Sequence, residues 1–175
     1  MSQRVQRRLT YRLRRAVGPT LDRTVRSVVD ETLHIYPREY AATVRCEIQD
    51  LESLLSSAGF RWNPLSMYHY TEVGNRTDGS WVLRDSPLAD RQLHAILIRQ
   101  GPERIDVYAH DEYSWLRHPV AHAEEVDLDR EGGAARMREI LRDMDVECVE
   151  ESKLRRKAEH VTRRVRKRVG ATIPG

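Results

Sequence analysis

A chain of 175 residues, 33% charged and 39% hydrophobic with a single Phe, has material for one cored domain with extensions, and too little for two ordinary domains. With a net charge of only +3, no run near the ~18 apolar residues of a membrane span and no apolar segment behind its first arginines, it reads as an intracellular protein without a membrane span. Cys46 and Cys148 stand far apart and outside any CxxC pair, which argues against a redox motif or a cysteine zinc site and for two small buried apolar residues.

The net charge hides a sharp partition. Residues 1–26 carry eight arginines against one acid, Asp22, a balance of +7. Residues 153–175 carry nine Lys/Arg against Glu159, a balance of +8. The remaining 13 bases and 25 acids leave residues 27–152 at −12. An acidic body is thus bracketed by two basic arms, each an electrostatic hook for a polyanion or for the acidic body of another copy. Arginine outnumbers lysine 27 to three, and Lys153, Lys157 and Lys167 all lie in the last segment. A GC-rich genome accounts for the arginine bias, but a lysine-free acidic body points further, to a protein that works in very high salt.

In chain order, Val5, Leu9, Leu13 and Val17 stand four apart and predict an amphipathic helix with arginine on its other faces. Gly18-Pro19 interrupts it, and Leu21, Val25, Val28 or Val29, and Leu33 continue the stripe to about residue 34. Pro37 predicts the start of a third helix, with Tyr40, Val44, Ile48, Leu51, Leu55 and Ala58 on one face and Gly59 as its stop. The period then changes. Residues 66–72 and 80–84 read as the two strands of a hairpin around the turn-like stretch 74–79. Residues 91–99 are apolar on both faces, at Leu93, Ala95 and Leu97 and at Ile96 and Ile98, which predicts a central strand covered on both sides. Gly101-Pro102 turns the chain into an alternating strand at 104–109, and a loop is expected through 110–126. A helix at about 133–144 carries Ala134, Met137, Ile140, Leu141 and Met144, and residues 145–149 suit a last short strand. Ser152 caps an expected C-terminal helix running to Gly170, with acids at its start and bases at its end as the helix dipole prefers. The class is α+β: N-terminal helices, a four-stranded mostly antiparallel meander, then C-terminal helices. Three parts follow: a basic helical arm at 1–34, an acidic body at 35–150 and a second basic arm at 151–175.

Motifs for chemistry are sparse. His94, His110, His118 and His122 crowd one region, with Asp111 and Glu112 among them, and a helical turn beginning at Pro119 would put His118 and His122 on one face. With His110 they would supply a three-histidine metal site, but no HExxH, HxxEH or cysteine pair accompanies them. Hydrogen-bonded histidines are the plainer reading, so no metal and no cofactor is expected. Ser80 and Ser114 are the candidate nucleophiles, and neither lies in GxSxG or a similar signature. Walker A and GxGxxG patterns are lacking. Asn75-Arg76-Thr77 fits a glycosylation sequon, but in a chain without an export signal it reads as part of a turn. The tryptophans Trp62, Trp81 and Trp115 and the tyrosines Tyr68, Tyr70, Tyr108 and Tyr113 suit packing between sheet and helices better than base stacking.

The arms carry the candidate binding residues. Arg4, Arg7, Arg8, Arg12, Arg14 and Arg15 at one end face a matching set at the other: Arg155, Arg156, Arg163, Arg164, Arg166, Lys167 and Arg168. The guanidinium fork grips phosphate or carboxylate in two places, and apolar stripes distinguish both arms from solvated tails. Residues 86–98 (SPLADRQLHAILI) and 106–119 (DVYAHDEYSWLRHP), with EYAATVR at 39–45, resemble small uncharacterised proteins encoded by haloarchaea and by their tailed viruses. The resemblance covers residues 36–142 and implies a genomic setting, with no activity and no catalytic residues to carry over. The expectation is therefore a non-enzymatic structural or assembly protein, such as a head–tail connector or neck-like virion component. It would self-associate into a homo-oligomer and meet other structural proteins through its arms. The alternative is a nucleic-acid-binding accessory protein whose arms grip phosphate.

Overall fold

The computed structural model describes residues 34–63, 70–71 and 77–149, together with Arg12, Leu13, Ala16, Val17, Thr20 and Thr24, all helical. The rest of the N-terminal arm, most of the expected strand at 66–72 and the expected helix from Ser152 lie outside the described residues. The body is α+β, built on a six-stranded antiparallel sheet of order β3-β5-β6-β7-β2-β8. Its strands are β2 (Tyr40–Val44), β3 (Arg61–Trp62), β5 (Gly79–Leu83), β6 (Arg91–Gly101), β7 (Arg104–Tyr113) and β8 (Cys148–Val149). A separate parallel pair joins β1 (His34–Ile35) to β4 (Tyr70–Thr71). The helices are α1 (Ile48–Ser57), α2 (Pro119–Ala123) and α3 (Arg130–Asp143). Among the described residues no helix is long and apolar enough to cross a membrane.

Three expectations are corrected. The four-stranded meander is a six-stranded sheet, in which the expected strands at 80–84, 91–99 and 104–109 are joined by Arg61–Trp62, Tyr40–Val44 and Cys148–Val149. The helix expected from Pro37 begins only at Ile48, since residues 37–39 form one 3-10 turn and Tyr40–Val44 is a strand between β7 and β8. The four-residue spacing of Tyr40, Val44 and Ile48 mimics a helix face. In fact all five residues of β2 are buried, and a short apolar run buried on both sides has no period to read. The return strand at 80–84 does not pair with 66–72: β5 has both edges filled, by β3 and by β6.

Other features follow the sequence closely. Gly59, at φ 94°, ends α1 in the left-handed conformation that glycine adopts without penalty, and the Phe60 amide closes back onto Leu55 O at 3.0 Å. Leu93, Ala95 and Leu97 of β6 and Ile105, Val107 and Ala109 of β7 form one buried face. Ile48, Leu51 and Leu55 of α1 and Met137 and Leu141 of α3 close it. Ile96 and Ile98 lie in a second cluster with Ile35, Tyr40 and Tyr108, so β6 is covered on both sides as its composition predicts. Cys46 and Cys148 are half-buried free thiols against the main core, and burial, with nearby Asp50, pushes the Cys46 thiol up to about 11.

Candidate functional site

Alternation along β6 and β7 decides which side chains meet. The hairpin register pairs Gln92 with Glu112, His94 with His110, Ile96 with Tyr108 and Ile98 with Asp106, and directly opposed residues share a face. This is the face turned away from α1 and α3. One end of it holds Ile96, Ile98 and Tyr108, with Asp106, also buried, opposite Ile98. The other holds Gln92, His94, His110 and Glu112, joined by Ser80 from β5 and Glu39 from the 3-10 turn, and all six are buried.

These groups form one connected network. His94 Nδ1 lies 3.1 Å from His110 Nε2 and 3.2 Å from Glu112 Oε1, and His110 Nε2 lies 3.3 Å from Glu112 Oε2. The outer nitrogens are partnered as well: His94 Nε2 is 2.8 Å from Ser80 Oγ, and His110 Nδ1 is 2.9 Å from Glu39 Oε1. Gln92 Nε2 donates to Glu112 Oε1 at 2.7 Å, and Arg84 Nε donates to Gln92 Oε1 at 2.8 Å. Glu39 also accepts from the Tyr36 amide and has the Arg130 guanidinium 3.5 Å away, itself stacked over the Tyr36 ring. His122 reaches in from α2, its Nδ1 3.2 Å from Glu112 Oε2 and 3.0 Å from Tyr113 O.

Burial alone would make every charge here costly. For His110 the carboxylates of Glu112 and Glu39 outweigh that burial and hold it up to about 10. Burial pushes His94 below the ordinary imidazole range despite the pull of Glu112, so of the two adjoining imidazoles His110 is the one that favours the proton. Burial would raise Glu112, but the imidazoles around it hold its carboxyl well below the usual range. His122, less buried, is raised by Glu112 and by the Tyr113 carbonyl.

Ser80, His94 and Glu112 have the connectivity of a nucleophile, base and orienting acid. They lack its accessibility: Ser80 is 0% exposed and His94 1%, so the hydroxyl is sealed from any substrate. Ser114 is also fully buried, and its carbonyl closes a turn by accepting from the Arg117 and His118 amides at 3.1 and 2.8 Å.

The structure redistributes the expected histidines. His110 is central because β7 runs to Tyr113 instead of yielding to a loop at residue 110. The helical turn at Pro119 forms, yet only His122 touches Glu112. His118 turns to the surface, where its Nε2 lies 2.8 Å from Asp90 Oδ1 and its ring stands edge-on to Tyr113. His94 takes its place, together with Glu112, which the sequence places among the histidines, and Glu39, which sequence reasoning did not single out. Of the arm residues, Arg12 is helical and exposed; Arg4, Arg7, Arg8, Arg14, Arg15 and the C-terminal set from Arg155 to Arg168 lie outside the described residues. No protein-family model, curated protein or solved structure matches the chain.

Proposed function

We propose that the protein is a non-enzymatic assembly protein that forms a homo-oligomer by laying the basic arm of one copy on the acidic body of the next. Its setting, on this reading, is a halophilic archaeal virus or provirus, where it serves as a head–tail connector or neck-like component. The observation that carries the proposal is the charge partition of +7, −12 and +8 along the chain. Two features of the fold support it. Leu13 and Val17, one helical turn apart in the N-terminal arm, are 64% and 41% exposed, so the apolar stripe of the arm is uncovered there. On the body, Leu88, Leu116, Val120 and Val126 are exposed along the segments 85–90 and 115–127. Arg117 ties these segments together, donating to Leu88 O at 3.2 Å and lying 3.1 Å from Asp90 Oδ1. They hold five acids, Asp85, Asp90, Glu124, Glu125 and Asp127, against one base, Arg117. Four of these acids already pair with arginines of the body, Asp85 with Arg136, Asp90 with Arg117, Glu125 with Arg130 and Asp127 with Arg91, and the exposed apolar side chains among them suit the apolar stripe of an arm.

High salt favours this reading over capture of free nucleic acid. At about 1 M salt the Debye length is ~3 Å, so the arms act through close contact and apolar burial and not through long-range steering. The second reading, an accessory protein gripping phosphate, draws on the preponderance of arginine in the arms. A full-length variant carrying Arg12→Glu, Arg14→Glu and Arg15→Glu tests the choice by sedimentation in molar salt. The unmodified chain is expected as a defined oligomer and the variant as smaller species. A monomeric unmodified chain that binds duplex DNA tightly in that salt would put the accessory reading first.

A further inference from the structure

We infer that His94, His110 and Glu112 form a buried binding site for one divalent transition-metal ion of zinc-like preference. The inference is independent of the assembly reading and rests on the geometry of the cluster. Three potential ligand atoms converge, two imidazole nitrogens and a carboxylate oxygen, all within 4.8 Å of one another and all on buried residues. A tetrahedral ion with bonds of about 2.0–2.1 Å separates its ligand atoms by about 3.3 Å. The two nitrogens stand 3.1 Å apart, close to that separation, and Glu112 presents one oxygen to each of them, Oε1 3.2 Å from His94 Nδ1 and Oε2 3.3 Å from His110 Nε2. A turn of the Glu112 carboxylate would bring a single oxygen toward both nitrogens.

The surrounding hydrogen bonds point the same way. His110 Nδ1 donates to Glu39 Oε1, so an ion that displaces the proton from Nε2 meets a lone pair directed at the cluster. His94 Nε2 is engaged by Ser80, which leaves its Nδ1 facing inward. Gln92 holds one oxygen of Glu112. A carboxylate behind a histidine and an amide behind a carboxylate are the supports that orient metal ligands and raise their basicity. Two nitrogens and one oxygen suit zinc and its neighbours better than magnesium or calcium, which require oxygen-rich shells. Three protein ligands leave a fourth position, and His122 is the third imidazole in contact with Glu112. With His94 only 1% and His110 4% exposed, the ion would serve as a structural clamp joining β6 to β7, closed to substrates.

The test uses the full chain, stripped with a chelator and titrated separately with Zn2+ and Co2+. The expected result is one ion per chain by native mass spectrometry, a raised melting temperature, and the visible absorption of tetrahedral Co2+. Glu112→Gln should weaken Zn2+ binding beyond roughly 100-fold, and Glu39→Gln, which keeps all three ligands, by roughly 10- to 100-fold. His118→Ala should keep the full stoichiometry. If Glu112→Gln does not fold, the Co2+ spectrum of the unmodified chain and the affinity of Glu39→Gln decide. A stripped chain whose melting temperature and spectrum ignore both ions would overturn the inference and leave a hydrogen-bonded cluster. So would binding that survives Glu39→Gln unchanged or disappears in His118→Ala.

Discussion

Gly133→Ala should destabilise the body by at least ~3 kcal/mol, at or beyond the upper end of ordinary overpacking. Gly133 lies in the first turn of α3, where glycine is a poor helix former, and on propensity alone alanine would gain ~1 kcal/mol. Packing reverses the sign. A Cβ at this position would stand 2.3 Å from the Asp111 amide nitrogen and 2.4 Å from both C and Cα of His110. Those are backbone atoms of a central strand and cannot turn aside, so α3 would have to back away from β7 and take Met137 and Leu141 with it. The neighbouring position supplies the control. A Cβ on Gly132 meets only the Asp129 carboxylate, the cap that accepts from the Gly132 amide at 2.8 Å. Displacing that cap costs ~1 kcal/mol, which the helix propensity of alanine offsets. Urea melts of the two variants should therefore separate widely. Equal midpoints would show that helix and strand are not in the close contact described.

Glu112→Ala should cost ~3–5 kcal/mol in metal-stripped protein near neutral pH, the range for removing one partner of a buried charged pair. The loss is large because four groups converge on this carboxylate: His94, His110, His122 and the Gln92 amide. Without it the His110 cation loses one of the two buried carboxylates that face it, the other being Glu39, and Gln92 Nε2 loses the Glu112 acceptor. Glu112→Gln should cost less, since an amide oxygen can still accept from Gln92. The same urea melts measure both. A Glu112→Ala midpoint equal to that of the unmodified chain would mean that the network contributes nothing net to folding.

The fold was legible where periodicity was unambiguous. Two-sided apolarity placed β6 at the heart of the sheet, and the spacing of Ala134, Met137 and Leu141 placed α3. It failed at Tyr40–Val44, where burial on both faces left no pattern to separate strand from helix. The candidate site was half legible. The histidines stood out, but choosing among them needed the strand register, and that register turns on one irregularity. Gly101 pairs with Arg104, and continuing that pairing down the hairpin would set His94 opposite Asp111. A shift between Arg99 and Gly101 sets it opposite His110 instead. One residue of slip moves every side chain to the other face, so this bulge, which composition does not announce, creates the His94–His110–Glu112 cluster. Glu39 was hidden for a related reason: it reaches His110 across 71 positions of sequence.

The acidic body is expected to fold alone, and the basic arms to assemble it. Light scattering in molar salt on the full chain and on residues 35–150 tests this most directly. The full chain is expected as a defined oligomer and the body as a soluble, cooperatively melting monomer. A full chain that scatters as a monomer, or a body that keeps the same oligomer without its arms, would contradict it.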